Sequence, residues 1–255
     1  MNRRLLVVLA LVAAVTLAGC SWVAPAQTPT PTPDDASSAT MIPVFRIDNH
    51  ANALANRSYA LTIDVRAAEA DARTNRTITV RSNLDTHRLL VHNSVKNRSV
   101  SRYVNATMVF TRAARNGTVN YTVQSLSTLG VNFSVMHRKA IQSGRLQKIY
   151  QVGSFEQTDN VTENGRQYTE FTLSNTSLAS NLTVTHANGS VRIGRNGVIY
   201  HAFVDLRGHR TESPFRLNMD YRTRTRNVSV TPPDWLDTAV AATSENETAT
   251  ETGSG

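Results

Sequence analysis

The chain has 255 residues, with 27 Lys and Arg against 19 Asp and Glu, a formal net charge of +8, and one cysteine. This length suits one domain of ordinary size or two small ones. A single cysteine excludes an internal disulfide and any metal cluster built from several thiolates.

The amino terminus has the pattern of a secretory signal. Arg3 and Arg4 form a short basic start, and an uncharged apolar run of 13 residues extends from Leu5 to Leu17. This run is shorter than the roughly 20 residues of a membrane span, but it is typical of the apolar region of a signal. We therefore predict a signal peptide over residues 1–19, with Sec and twin-arginine export both left open.

The apolar run ends in Leu17-Ala18-Gly19-Cys20, which resembles a lipobox, the site where a signal peptidase cuts before a cysteine that carries lipid. The Cys20 thiol is the only one that could form the thioether to a lipid. We therefore predict that Cys20 anchors the protein to the extracellular face of the cell membrane. The alternative is a plain signal peptide with a chance cysteine.

Both ends of the mature chain have compositions that cannot form a core. Four of the eight prolines lie between residues 25 and 33, which favours an extended tether over residues 20–42. The last segment has no large apolar residue after Val240, and it predicts a disordered tail over residues 238–255. A single β-rich domain is expected between them, over residues 43–237.

Two segments of this domain have helical spacing. Residues 43–56 place Val44, Ile47 and Leu54 on one apolar stripe. Residues 136–149 form a weaker apolar stripe, and Gly144 within it has a low helix propensity. We expect one helix in each segment.

The rest of the domain alternates with period two. Leu61 and Ile63 share one face and Thr62 the other, and the same alternation continues over residues 103–110, 119–124 and 215–222. Four Asn-Gly pairs, which suit the positive φ angles of hairpin turns, begin at Asn116, Asn164, Asn188 and Asn196. Consecutive hairpins predict an antiparallel meander.

These elements predict a mainly β, α+β fold. So few helices cannot cover both faces of a wide sheet, so we expect an antiparallel sheet curved into an open half-barrel, with one or two helices on its concave face. This shape resembles bacterial lipoprotein carriers and mycobacterial lipid-binding lipoproteins, as a resemblance of architecture.

Asparagine is enriched in glycosylation acceptor sites. Thirteen of the 21 asparagines begin Asn-x-Ser/Thr, where chance predicts about four from the Ser and Thr content. A polar, β-rich sequence that favours Asn, Ser and Thr together is the alternative explanation. We predict solvent-accessible N-glycosylation sites among Asn56, Asn75, Asn97, Asn105, Asn116, Asn120, Asn132, Asn160, Asn175, Asn181, Asn188, Asn227 and Asn246.

The stretch from Ile47 to Tyr59, IDNHANALANRSY, resembles the start of a haloarchaeal surface lipoprotein family of unknown function. In that family a short helix leads through an Asn-Arg-Ser-Tyr step into the first strand. The lipobox, the Thr/Pro tether and the dense acceptor sites are similar to such proteins as well. The resemblance implies an archaeal cell-surface lipoprotein and names no ligand.

The sequence contains no pattern typical of catalysis. The seven histidines have no metal-site spacing, and nucleophile-elbow, zinc-protease and phosphate-loop motifs are lacking. We expect a protein that is not an enzyme and has no cofactor or metal, although a constellation assembled from distant residues stays open.

Basic residues recur in two places and allow two interpretations. They would form either an anion or lipid-headgroup site or a solvated face with arginine stems over apolar surface, and we favour the solvated face. The residues are Arg216, Arg222, Arg224 and Arg226 on the last strand, and Arg138, Lys139, Arg145 and Lys148 in the second helix.

Taken together, the sequence predicts a lipid-anchored, N-glycosylated cell-surface lipoprotein that binds a ligand, such as a lipid or another apolar molecule, without transforming it. Its expected partners are the membrane, through the anchor, and this apolar ligand, and nucleic acid is not expected for an exported protein. The alternative is a structural or adhesive envelope component without a ligand pocket.

Overall fold

The computed structural model describes residues 45–178 and 181–251, so the predicted signal peptide, Cys20 and the tether lie outside the described residues. The strands are β1 Tyr59–Glu69, β2 Ala72–Asn83, β3 Arg88–Val95, β4 Arg98–Val104, β5 Met108–Arg115, β6 Thr118–Ser125, β7 Gly153–Glu163, β8 Arg166–Thr176, β9 Leu182–Gly194, β10 Ile199–Arg210 and β11 Ser213–Arg224. The helices are α1 Phe45–Ala55, α2 Phe133–Lys139, α3 Ser143–Tyr150 and α4 Leu236–Glu251.

The described strands form one antiparallel sheet in the order β6-β5-β4-β3-β2-β1-β11-β10-β9-β8-β7. The sheet is curved and does not close, because β6 and β7 remain as its two edges. This confirms the predicted open half-barrel. Since β1 pairs with both β2 and β11, it divides the sheet into a first wing, β2–β6 over residues 72–125, and a second wing, β7–β11 over residues 153–224.

The two wings differ in backbone regularity. The pairs within the first wing keep an unbroken register. The second wing has register shifts in the β7–β8 and β9–β10 pairs, one of them between Arg207 and Gly208. A Cβ atom at Gly208 would lie 2.0 Å from the carbonyl oxygen of Thr183, so only glycine permits this approach of the strands.

The main core lies between the concave face of the sheet and helices α1 to α3. Leu61 and Ile63 of β1 are buried there, as the period-two pattern predicts. They share the core with Leu54 of α1 and with Leu146 and Ile149 of α3, all fully buried. Helix α1 falls within the predicted segment 43–56, and the Asn-Arg-Ser-Tyr step does lead from it into β1.

The second predicted helix, 136–149, is divided into α2 and α3. The break lies at Gln142, whose φ is 60°, and Gly144 is part of α3. Ile141 is drawn into the core at this break, and its carbonyl accepts a hydrogen bond of 3.0 Å from the Tyr221 hydroxyl. A side chain of the sheet thus replaces a helical hydrogen bond, which local spacing could not reveal.

Three of the four Asn-Gly turns are confirmed. Asn116 and Asn164 have positive φ and lie in hairpin turns, and Gly197 lies in the turn between β9 and β10. The turn expected at Asn188 is wrong, because Asn188 and Gly189 lie inside β9. A Cβ atom at Gly189 would lie 3.0 Å from the Phe203 carbonyl oxygen, so glycine at this position lets β9 and β10 approach closely.

The continuous strand expected over residues 103–110 is also wrong, because a turn interrupts it. The Asn105 side chain accepts hydrogen bonds from the backbone N–H groups of Thr107 and Met108, at 3.0 and 2.8 Å. Such an Asx turn lets β4 and β5 pair as a hairpin, with Val104 opposite Val109.

The carboxyl-terminal segment packs against the convex face of the first wing. Val230 is buried with Tyr103 and Phe110, and Trp235 and Leu236 lie against the same cluster. Helix α4 occupies Leu236–Glu251, where the sequence predicted disorder from residue 238. The apolar contacts of Trp235 and Leu236 hold the start of this helix against the sheet, and composition alone does not reveal them.

Candidate ligand site on the concave face

Two buried histidines connect the inner helices to the sheet. In α1, His50 Nδ1 accepts a hydrogen bond of 3.0 Å from the Ile199 backbone N–H. His50 Nε2 therefore carries the proton and donates to the Tyr221 hydroxyl at 2.9 Å. Burial lowers the pKa of His50 from 6.5 to about 3, so the ring is neutral at physiological pH.

His137 of α2 makes the equivalent connection to the first wing. Its Nε2–H donates to the Leu54 carbonyl at 2.9 Å, and its Nδ1 accepts from the Ser82 hydroxyl at 2.6 Å. The Tyr59 hydroxyl donates to the His137 carbonyl at 2.8 Å. Burial lowers the pKa of His137 as well, so both histidines act as neutral structural links.

The helices leave a pocket where the first wing extends beyond them. It has a volume of about 400 Å³ and lies between β3–β6, the loop before α2, and α2 itself. Leu129 at its mouth is 40% exposed. The lining is apolar at Leu89, Val91, Val109, Leu129, Val131, Met136 and Ala140, and polar or charged at Arg102, Thr111, Gln124, Lys139 and Gln142.

Two other cavities suit a hydrocarbon ligand less well. One, of about 420 Å³, lies between α1 and the second wing, and amide side chains such as Asn49, Asn52 and Gln157 line much of it. The other, of about 550 Å³, has four apolar residues among the ten that line it, and the rest are threonines and the arginines Arg81, Arg222 and Arg224. The pocket beside α2 has seven apolar residues among the twelve that line it, the largest apolar share of the three cavities, so we take it as the candidate ligand site.

The predicted acceptor asparagines lie at the surface wherever the structure describes their side chains. Asn105 is half-buried, and the side chain of Asn246 lies outside the described residues. The exposed ones are Asn56, Asn75, Asn97, Asn116, Asn120, Asn132, Asn160, Asn175, Asn181, Asn188 and Asn227. Asn132 also caps α2, because its side-chain oxygen accepts from the Val135 N–H at 3.0 Å.

The predicted basic stripe of the last strand is neutralised in part. Arg216 pairs with Asp205 at 3.5 Å, and Arg222 pairs with Asp220. Burial raises the pKa of Asp220, but hydrogen bonds from His201 and Arg222 outweigh it, so the pKa is lowered overall. These two arginines fit the solvated-face interpretation favoured from the sequence.

The pocket itself was not predicted residue by residue. Lys139 belongs to the basic helix that the sequence singled out, but Arg102 was not among the candidates. A usable signal was present in the sequence, because between residues 72 and 125 the only acidic residue is Asp85.

Within residues 45–178 and 181–251, no three or more His, Cys, Asp or Glu side chains are arranged to hold a metal ion. In the same part of the chain, no helix is both long and apolar enough to span a bilayer.

Comparison with known proteins identifies no family. No protein-family model and no curated protein matches the sequence, so the haloarchaeal resemblance stays an expectation. Among solved structures, a LolA-superfamily protein of Nitrosomonas europaea aligns with 12% identity and a TM-score of 0.28, over 75% of this chain and 97% of that one.

Two further structures align at a similar level. The Pseudomonas aeruginosa MucA/MucB complex has 10% identity and a TM-score of 0.26, over 75% of this chain and 58% of that one. A DUF1329-family protein of Desulfovibrio piger has 8% identity and a TM-score of 0.25, over 74% and 94%. Structural similarity at these TM-scores supports no functional argument. The proposed function therefore depends on the geometry of this chain alone.

Proposed function

We propose that this protein is a lipid-anchored cell-surface lipoprotein that binds an apolar ligand, such as a lipid, without transforming it. The observation that carries the proposal is the pocket of about 400 Å³ beside α2, where seven apolar side chains face a space open to solvent. Burial keeps both histidines neutral by lowering the pKa of each ring, and both ring nitrogens of each histidine are engaged in hydrogen bonds within the fold.

Filling the pocket tests ligand binding. Thr111 lines the pocket on β5, and Thr111→Phe should place an aromatic ring in the space that a hydrocarbon chain would occupy. Thr118→Phe is the matched control, because Thr118 is exposed at the start of β6 and does not line the pocket.

The readout is native mass spectrometry of the full chain extracted in mild detergent, followed by titration with a twelve-carbon amphiphile. We expect wild type and Thr118→Phe to bind and Thr111→Phe to lose most of the binding. Equal binding by Thr111→Phe, or no binding by wild type, would contradict the proposal.

The anchoring part of the proposal is supported by the position of Cys20 directly after Leu17-Ala18-Gly19. Cys20→Ser should release the protein from the membrane fraction, because no thioether to lipid can form. The prediction would be contradicted if Cys20→Ser associated with the membrane as fully as wild type and its intact mass showed no loss of lipid relative to wild type.

A structural or adhesive envelope component is the second candidate. It is favoured by the eleven predicted acceptor asparagines that lie exposed on the described surface. Glycan mapping by mass spectrometry, combined with a wild-type pocket that binds no amphiphile, would favour this candidate over ligand binding.

A further inference from the structure

The charged residues of the first wing are almost all basic. Residues 72–125 contain nine Arg and Lys and one acidic residue, whereas residues 153–224 contain eight Arg and seven acidic residues. All ion pairs among the described residues either lie in the second wing or join it to Glu69 of β1. The cations of the first wing therefore have no acidic partner in the described part of the chain.

Several of these cations lie on the concave face. Alternation along β4 puts Arg98 and Arg102 on the same face as Val104, which belongs to the main core. Arg98 lies directly opposite Arg115 of β5, so two like charges are neighbours across the ladder. Arg102 lies opposite Val91 and lines the candidate pocket together with it.

Two cations of the inner helices also lack an acidic partner in the described part of the chain, and one of them lines the pocket. Lys139 of α2 lines the same pocket as Arg102. Arg145 of α3 is half-buried, and both burial and the charge of Arg76 lower its pKa. Arg76 donates its Nε–H to the neutral side-chain oxygen of Asn93 at 2.9 Å, so no carboxylate offsets its charge either.

Arg102 and Lys139 are exposed and have no acidic partner among the described residues, so an anion bound beside them would pair with two cations without breaking an existing ion pair. The apolar lining of the pocket, in turn, gains nothing from a small hydrated anion but suits a hydrocarbon chain. Both features lie within one space of about 400 Å³.

We infer that the pocket binds an anionic amphiphile, with its hydrocarbon chain against Val91, Val109 and Met136 and its carboxylate or phosphate head at Arg102 and Lys139. This inference rests on the proposed function and narrows its ligand from an apolar molecule to an amphiphile with a negative head.

Calorimetric titration of the full chain carrying Cys20→Ser, which prevents lipidation, tests the inference. The probes are dodecanoate, dodecyl phosphate, the neutral dodecanol and inorganic phosphate, each below its micelle concentration. We expect the two anionic amphiphiles to bind at least tenfold more tightly than dodecanol or inorganic phosphate, with most of this preference lost in 1 M salt.

The matched variants separate the site from general charge. Arg102→Gln with Lys139→Gln should lose about tenfold in affinity for dodecanoate and leave dodecanol unchanged. Arg73→Gln with Arg112→Gln, on the opposite face of the same wing, removes the same charge and should leave both affinities unchanged. Arg102→Lys, which keeps the charge, should retain most of the affinity, and an unchanged thermal transition shows that the double variant is folded.

Three outcomes would overturn the inference. Equal affinity of wild type for dodecanol and dodecanoate would contradict the negative head while leaving the proposed function standing. Equal affinity for inorganic phosphate and dodecyl phosphate would show a site for a free anion instead of an amphiphile. Failure of all three twelve-carbon probes to bind would contradict the proposed function itself.

Discussion

Both wings of the sheet are built from antiparallel hairpins, yet they differ in how their charged residues are paired and in how regular their strand register is. The second wing has register shifts, and four of its seven acidic residues form ion pairs with arginines or histidines, as Asp205 does with Arg207 and Arg216. The first wing has a regular register and almost no acidic residues. The difference shows that acidic residues compensate arginine charge in the second wing but not in the first, and our proposal assigns the uncompensated charge of the first wing to a ligand.

The largest expected effect is on the pH dependence of the free energy of unfolding, and it comes from the buried histidines that join the helices to the wings. Because the pKa of His50 falls from 6.5 to about 3 on folding, its contribution to stability is complete above pH 6.5 and is lost as the pH falls. The unfolded state alone is protonated in that range, at a cost of about 1.4 kcal/mol for each pH unit and roughly 5 kcal/mol in total by pH 3.

Denaturant unfolding between pH 7 and pH 3 measures this effect. The free energy of unfolding of wild type should fall more steeply than that of His50→Gln, by about 1.4 kcal/mol per pH unit. His209→Gln, at an exposed position of β10, should follow wild type. Parallel curves for wild type and His50→Gln would contradict the neutral buried state of His50.

The next largest effect tests the irregular backbone of the second wing. Gly208→Ala should lower the free energy of unfolding by about 3 kcal/mol, because its Cβ would meet the Thr183 carbonyl oxygen at 2.0 Å and force the strands apart. Gly144→Ala in α3, where nothing lies within 4 Å, should instead be stabilising by about 0.5 kcal/mol. Equal melting temperatures of the two variants would contradict the close strand contact.

The ion pairs of the second wing give a smaller effect. Asp205 is nearly buried and lies 3.2 Å from Arg207 and 3.5 Å from Arg216. Asp205→Asn should cost about 2 kcal/mol of unfolding free energy, since the arginines lose their counter-charge. Glu156→Gln, an exposed change of equal charge, should cost almost nothing by the same measurement. A cost for Glu156→Gln as large as that for Asp205→Asn would point to net charge instead of local pairing.

The smallest effect has the opposite sign and belongs to the first wing. Arg98→Glu places opposite charges across the ladder at Arg115 and should stabilise the protein by about 0.5 kcal/mol. The matched Arg207→Glu should destabilise the protein, because Arg207 is paired with Asp205. Thermal melts at low salt measure both, and 1 M salt should remove most of the gain. Destabilisation by Arg98→Glu would show that Arg98 has a partner of its own.

Period-two alternation and Asn-Gly pairs were enough to predict the curved antiparallel sheet, and the helical apolar spacing of residues 43–56 predicted the helix that precedes β1. They failed where distant residues decide the local structure. Gly189 lies in a strand because Phe203 of the neighbouring strand approaches it, and the second helix breaks because Tyr221 binds the Ile141 carbonyl. Neither contact can be predicted from the spacing of the nearby residues in the sequence.

The candidate site was predictable only in outline. The sequence indicated an apolar ligand on the concave face, and it singled out Lys139 within a basic helix. It could not place Arg102 beside Lys139, because β4 and α2 are brought together only by the curvature of the sheet. The prediction of Cys20 as the lipid anchor concerns a residue outside the described part of the chain, and it stays a prediction.

The pairing of Ala60 with Arg224 joins the first strand of the sheet to the last. Each wing can form early from short-range hairpins, but the seam between them waits until β11 has been synthesised. A polypeptide cut short before residue 213 would leave β1 with a bare hydrogen-bonding edge in the middle of the intended sheet, open to pairing with other chains. Self-association of incomplete products is therefore the expected failure of this topology.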